Sequence, residues 1–204
     1  MSDEKDLLAR YLTKARSDLV AKLDGLDERQ IRWPMTATGT NLLGILKHVA
    51  SVELGYLGDV MGRPSGIALP WYDDDAPDNA DMWATAQESR EQIMELYRAS
   101  VESSDATIAA LDLDAPGLVP WWSPERRHVT LRTILIHMGY EVARHAGHAD
   151  ILRELIDSHA GNNDGNLPDL TAQEWATYHA QLEAAAIEAA AIEAAAARDA
   201  EESS

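Results

Sequence analysis

No cysteine occurs in this 204-residue chain, and no phenylalanine. The first absence excludes disulfides, thiolate catalysis and Cys-ligated zinc or iron–sulfur centres, so any metal must be held by His and carboxylate. The second leaves six Trp and six Tyr to carry the aromatic bulk. Bases are scarce: 17 Lys and Arg stand against 35 Asp and Glu, a formal net charge of −18. Phosphate backbones and anionic bilayers attract a basic face, so nucleic acid and membrane surfaces are not the expected partners. No uncharged apolar run approaches the roughly 20 residues of a membrane span. The opening MSDEKDLLARYL lacks the basic and apolar segments of a secretory signal. A cytoplasmic protein acting on a small molecule is the expectation.

What is present is helical periodicity. Hydrophobic residues make up 46 %, enough for a core, and the length suggests one domain with an appendage. Leu7, Leu8, Tyr11, Leu12, Ala15, Leu19 and Leu23 recur at three- and four-residue spacing and predict a helix over 3–24, closing near Gly25. Pro34 and Gly39 punctuate a link. Thr40 or Asn41 can cap a second helix running to about Met61. Gly62, Pro64, Gly66, Pro70 and Pro77 then break up a long loop. A third helix is predicted over 79–111, a second Pro/Gly loop (DAPGLVPWWSPERRH) follows, and a fourth helix covers 129–158. No strand alternation of useful length appears, since HVTLRTI runs on into a helix. The fold class expected is all-α: a four-helix bundle over 1–158 with long crossover loops. Residues 159–204 form a loop and an Ala-rich C-terminal helical tail starting near Thr171. Its AAAIE repeat shifts by five residues, about 140° on a helix, so Ile187 and Ile192 make no single stripe. The last ten or so residues are expected to fray or project.

Two predicted helices carry polar groups on apolar faces. His48 lies among Asn41, Ile45, Val52 and Tyr56 in NLLGILKHVASVELGYLGD. A core histidine with a hydrogen-bond partner and a metal ligand are the competing readings. In HMGYEVARHAGHADILRELID, His137, Glu141 and His145 recur every four residues, spread over about 80° of the helix. Ile134, Met138 and Leu152 share that side, where a charged Glu is costly unless paired or metal-bound. A solvated ladder of i,i+4 pairs is the competing reading. His148 follows His145 by one turn and is a candidate general base, with a surface role as its alternative. His137 could add a ligand. Glu53 is read as partner to a basic side chain, and Arg144 and Asp150 face outward or toward another helix. Trp33, Tyr56, Trp71, Trp121 and Trp122 are candidates for a pocket mouth or for ordinary packing. Asp73, Asp74 and Asp75 lack the alternation, central Gly and terminal Glu of a calcium loop, and read as solvated.

Together these two segments, with WPMTATGTNLLGILKHV, resemble the signature helices of the DinB-like superfamily over residues 5–158, and especially its actinobacterial branch. That group includes mycothiol-dependent maleylpyruvate isomerase and bacillithiol S-transferases. The resemblance implies a metal triad of His48, Glu141 and His145, with open positions for substrate or water. Zinc is the first candidate, with Ni, Fe or Mn as alternatives. It implies an S-transferase or thiol-assisted isomerase using a low-molecular-weight thiol such as mycothiol. The isomerases carry a further C-terminal domain that the Ala-rich residues 159–204 do not resemble, so isomerisation is the weaker expectation. A metal-dependent hydrolase, a non-catalytic stress-related metal- or ligand-binding bundle, and a purely structural polar network are the other readings. A homodimer is left open.

Overall fold

The computed structural model describes residues 3–161 and 167–202. The chain divides into two compact units, Met1–Ala160 and Gly161–Ser204. The first is an all-α bundle of four long helices: α1 (Asp3–Ala21), α3 (Leu42–Glu53), α4 (Arg90–Ala110) and α5 (Leu131–Asp157), with a short α2 (Glu28–Arg32) before α3. Helix α1 packs on α5, and α3 packs on both α4 and α5. The core between them is aliphatic, including Leu12 and Leu19 of α1, Ile45, Leu46 and Val49 of α3, Ile93 of α4, and Ile134, Met138 and Val142 of α5.

The predicted periodicity on α1 was too broad. Leu7 and Tyr11 are exposed, and the buried stripe is Leu12, Ala15, Leu19 and Leu23, with Leu8 packed at its edge. The end of α1 is capped from α5: the Arg153 guanidinium donates to the carbonyls of Lys22 (3.0 Å) and Asp24 (2.7 Å) and is itself held by Asp157. This satisfies carbonyls that a helix end leaves orphaned.

Three boundaries differ from the sequence reading, each for a local reason. The link after Gly25 contains α2, started by an Asp27/Gln30 capping box that outweighs its brevity. The third helix begins at Arg90, not 79, because Ser89 and Gln92 form another capping box. Ahead of it lies only a 3-10 turn, Ala80–Met82, opened by Asn79 in the left-handed region (φ 57°). Two three-residue strands, β1 (Pro116–Leu118) and β2 (His128–Thr130), pair antiparallel where a loop was expected, with Gly117 opposite Val129. They are too short to show alternation in sequence.

The second helix was read as running to Met61, and its geometry changes on the way. Asn41 caps α3, its side chain accepting from the Gly44 amide at 2.8 Å. After Glu53 the chain passes through a π turn, Leu54–Gly58, then a 3-10 turn, Asp59–Met61. In the second unit, helix α6 (Ala172–Glu202) starts where expected, with the Thr171 hydroxyl accepting from the Glu174 amide at 3.3 Å. Helix α6 runs to Glu202, and 203–204 lie outside the described residues. Residues 162–166 of the expected loop also lie outside them. Among the described residues, no helix is long and apolar enough to cross a membrane.

Candidate metal centre

Helices α3 and α5 lie against each other and bring together residues 93 positions apart in sequence. Each of His48, Glu141 and His145 offers one ligand atom, and these atoms lie within 4.8 Å of one another. Among the described residues this is the one His/carboxylate group with such spacing. Glu141 Oε1 is the hub: His145 Nε2 approaches it at 3.0 Å and His48 Nε2 at 3.5 Å. The imidazole rings of His48 and His145 meet edge to face, with centroids 4.9 Å apart. All three side chains are partly buried.

The group is held by a residue that sequence reasoning missed. Asp81, in the 3-10 turn before α4, puts Oδ2 at 2.6 Å from His48 Nδ1. The Tyr72 hydroxyl donates to the same oxygen at 3.3 Å. A carboxylate behind a histidine is the usual device for fixing the tautomer and orientation of a metal-ligating imidazole. With Nδ1–H directed to Asp81, a neutral His48 turns its Nε2 lone pair toward the Glu141 carboxylate. Two acceptors 3.5 Å apart repel unless a cation or proton lies between them.

The turn carrying Asp81 is pinned to α3 at three points. Asn41 Nδ2 donates to the Met82 carbonyl at 3.2 Å. Lys47 Nζ, almost wholly buried, donates to the carbonyls of Ala80 (2.9 Å) and Trp83 (3.1 Å) and pairs with Glu88 (2.7 Å). Gly44 faces the Met82 carbonyl so closely that an added Cβ would lie 1.8 Å from its oxygen. No pattern of residue types in sequence connects these groups to Asp81, since the contact is made by a loop that folds back.

The electrostatics suit ligands in their coordinating forms. Burial, reinforced by the neighbouring His48, lowers the His145 imidazole below its ordinary value, favouring the neutral ring. Burial pushes the Glu141 carboxyl up, but His145 and His48 more than offset it, so it titrates below its ordinary value. Neutral imidazoles and an ionised carboxylate are what a divalent cation requires. The Nδ1 of His145 is buried and has no hydrogen-bond partner among the described residues. The donor set therefore fits a divalent cation.

The other sequence candidates separate. His148 is exposed, with its ring 5.5 Å from that of His145. His137 stands apart from the ligand group: its ring packs on Tyr56 (4.5 Å) and Trp122 (5.2 Å), and burial lowers its basicity. Tyr56, Trp121 and Trp122 form one aromatic cluster with it, the two indoles donating to the Tyr56 hydroxyl. Trp71 donates to Ser51 Oγ at 3.0 Å and lies under the Lys47 ammonium. Trp33 is exposed and pairs with Arg29. Glu53 is fully buried against Arg16, and Asp150 reaches Lys22, just past the end of α1, at 2.6 Å. Asp73, Asp74 and Asp75 are exposed.

Helices, cradle and ligand group together describe a four-helix bundle carrying a His/Glu/His group that could hold a metal ion. Residues 7–158 match the model of the mycothiol-S-transferase family, and the chain belongs to that family. The matched span takes in the whole candidate site and agrees with the DinB-like character of α3 and α5. A search of curated proteins returns no match.

Proposed function

We propose that this protein is a divalent-metal-dependent S-transferase that joins a low-molecular-weight thiol, mycothiol or a relative, to an electrophilic small molecule. The observation that carries the reading is the convergence of His48, Glu141 and His145, with Asp81 behind His48, inside a chain of the mycothiol-S-transferase family. The chain has no Cys, so the sulfur nucleophile has to come from outside.

His48, Glu141 and His145 would hold the cation, for which zinc is the first choice among borderline metals. When bound, the ion supplies Lewis acidity that lowers the pKa of a thiol brought to it. A free thiol with pKa about 8.5 is only a few per cent thiolate at pH 7. Lowering that value to about 7 makes half of it thiolate, a gain of roughly fifteenfold in nucleophile. Asp81 keeps His48 in one tautomer, and the Lys47, Asn41 and Gly44 contacts keep Asp81 in place. His148, open to solvent beside His145, is proposed to take the thiol proton and release it to water. The half-buried aromatic cluster gives the electrophile an apolar wall.

The test begins with metal. Protein purified without added metal is analysed for divalent ions, for the wild type and His145→Ala. Stoichiometric metal in the wild type and its loss in the variant are expected. Mycothiol and 1-chloro-2,4-dinitrobenzene are then supplied to the loaded protein, and the thioether is measured. A wild type that cannot be loaded, or that is loaded but conjugates no thiol, defeats the proposal.

A further inference from the structure

The hydroxyl of Tyr56 has an unusual hydrogen-bond account. Trp121 Nε1 donates to it at 3.1 Å and Trp122 Nε1 at 3.2 Å. A phenol oxygen has room for about two acceptor contacts, and an indole N–H can only donate. Both lone pairs of Tyr56 are therefore taken, and the one thing left to the group is to donate its proton. Among the described residues, no acceptor for that proton is seen.

Position makes this donor relevant. On an uninterrupted α-helix, Tyr56 would sit about 80° around from His48. The π turn Leu54–Gly58 advances each residue by less than an α turn does, and so winds Tyr56 back toward the face of His48. Its ring lies 4.5 Å from that of His137, one helical turn before Glu141. Trp122, half-buried, also lines a cavity of about 180 Å³ with Ser123 and Arg126. The Tyr56 ring thus packs against His137 of α5, and its hydroxyl takes bonds from two indoles, one of which lines that cavity.

We propose that Tyr56 is a catalytic hydrogen-bond donor to the electrophile, and that the site favours electrophiles with an apolar body and an oxygen that becomes negative during the reaction, such as aryl epoxides. This rests on the thiol-transfer reading. In the step inferred, thiolate sulfur attacks a ring carbon and the C–S bond forms. The C–O bond breaks with its electron pair passing to oxygen. The Tyr56 O–H binds that developing alkoxide, which takes its final proton from water. Two indole donors behind the phenol polarise the O–H at no cost in reorganisation.

The test compares Tyr56→Phe with wild type, both metal-loaded, with mycothiol as thiol. Styrene oxide is the oxygen-bearing electrophile, and monobromobimane, which loses bromide, is the control. Losing one such donor should lower kcat on styrene oxide about 100-fold, with the monobromobimane rate and metal content within about twofold. A loss shared equally by both electrophiles, or no loss, overturns the role. A second readout is independent of turnover: quenching of the Trp fluorescence by 4-nitrophenolate. Weaker binding to Tyr56→Phe is expected. If the wild type conjugates nothing but this binding still weakens, thiol transfer fails and the Tyr56 donor stands. If the wild type is active and the variant matches it in both assays, the donor fails and thiol transfer stands. Should Tyr56→Phe not load metal, Trp122→Phe replaces it. Removing one indole donor should lower the styrene oxide rate more than the monobromobimane rate, and an equal effect on both again overturns the role.

Discussion

Asp81 Oδ2 lies 2.6 Å from His48 Nδ1, joining a loop residue to a helix residue 33 positions away. The pair fixes which nitrogen of His48 faces Glu141. Asp81→Asn keeps the shape but removes the carboxylate's charge. It should weaken metal binding about 10- to 100-fold, measured by competition with a chromophoric chelator. Thermal stability of the metal-free protein should change little. Unaltered affinity would show that His48 is oriented by something else.

Gly44 should not tolerate a side chain. A Cβ there would sit 1.8 Å from the Met82 carbonyl oxygen, and the obstacle is backbone. Gly44→Ala must push the 80–82 turn off α3, at a cost of about 1–3 kcal/mol typical of overpacking. Because that turn carries Asp81, metal affinity should fall alongside stability, unlike in Asp81→Asn. Denaturant unfolding of the metal-free form and chelator competition together check this.

The buried pair Arg16 and Glu53 offers a test of the bundle apart from the site. Arg16 Nε donates to Glu53 Oε1 at 2.6 Å, and Nη1 reaches Asp105 at 2.7 Å. Burial pulls the Arg16 guanidinium down, but Glu53 and Asp105 more than offset it, so it titrates above its ordinary value. Arg16→Met strands the Glu53 carboxylate and should destabilise by about 3–5 kcal/mol. Adding Glu53→Leu removes the stranded charge and should recover most of the loss. Urea midpoints of the single and double variants decide it.

Acid should loosen the cradle through Glu88. Burial raises this carboxyl, but its bonds to Lys47 and to the Thr85 amide more than offset that, leaving it below its ordinary 4.5. A depressed carboxyl contributes stability that is present in full above its unfolded value and lost as pH falls through the folded one. Wild-type stability should therefore decline as pH drops below about 4.5. Glu88→Gln should be less stable at pH 7 and show a flatter decline over that window, read from urea midpoints across pH. Parallel curves would mean that the Lys47 contact contributes nothing to folding.

The sequence by itself determined a good deal. Period-3.6 apolar spacing specifies the bundle helices, because it sets which side of each helix loses contact with water. The four-residue step between Glu141 and His145 puts both on one side of α5 whatever the rest of the chain does. The absence of cysteine alone limits a metal to His and carboxylate ligands. The short elements were illegible for the opposite reason. Helix α2 and the β1–β2 pair have too few residues to show a period, and capping boxes at Asp27 and Ser89 set boundaries that apolar spacing cannot.

The family resemblance already assigns His48 to the pair, and only the tertiary structure decided what stands behind it. His48 and His137 look alike in sequence, each on an apolar helical face. Packing of α3 against α5 turns the first to Glu141 and the second to Tyr56 and Trp122. Asp81 is one acid among 35 until Asn41, Gly44 and Lys47 draw its turn onto α3. The hydroxyl of Tyr56 becomes an obligatory donor only when two indoles from a distant loop converge on it. Helical periodicity is a property of neighbours in the chain. The hydrogen-bond partners that set tautomer and donor role come from residues dozens of positions apart, and no local spacing encodes them.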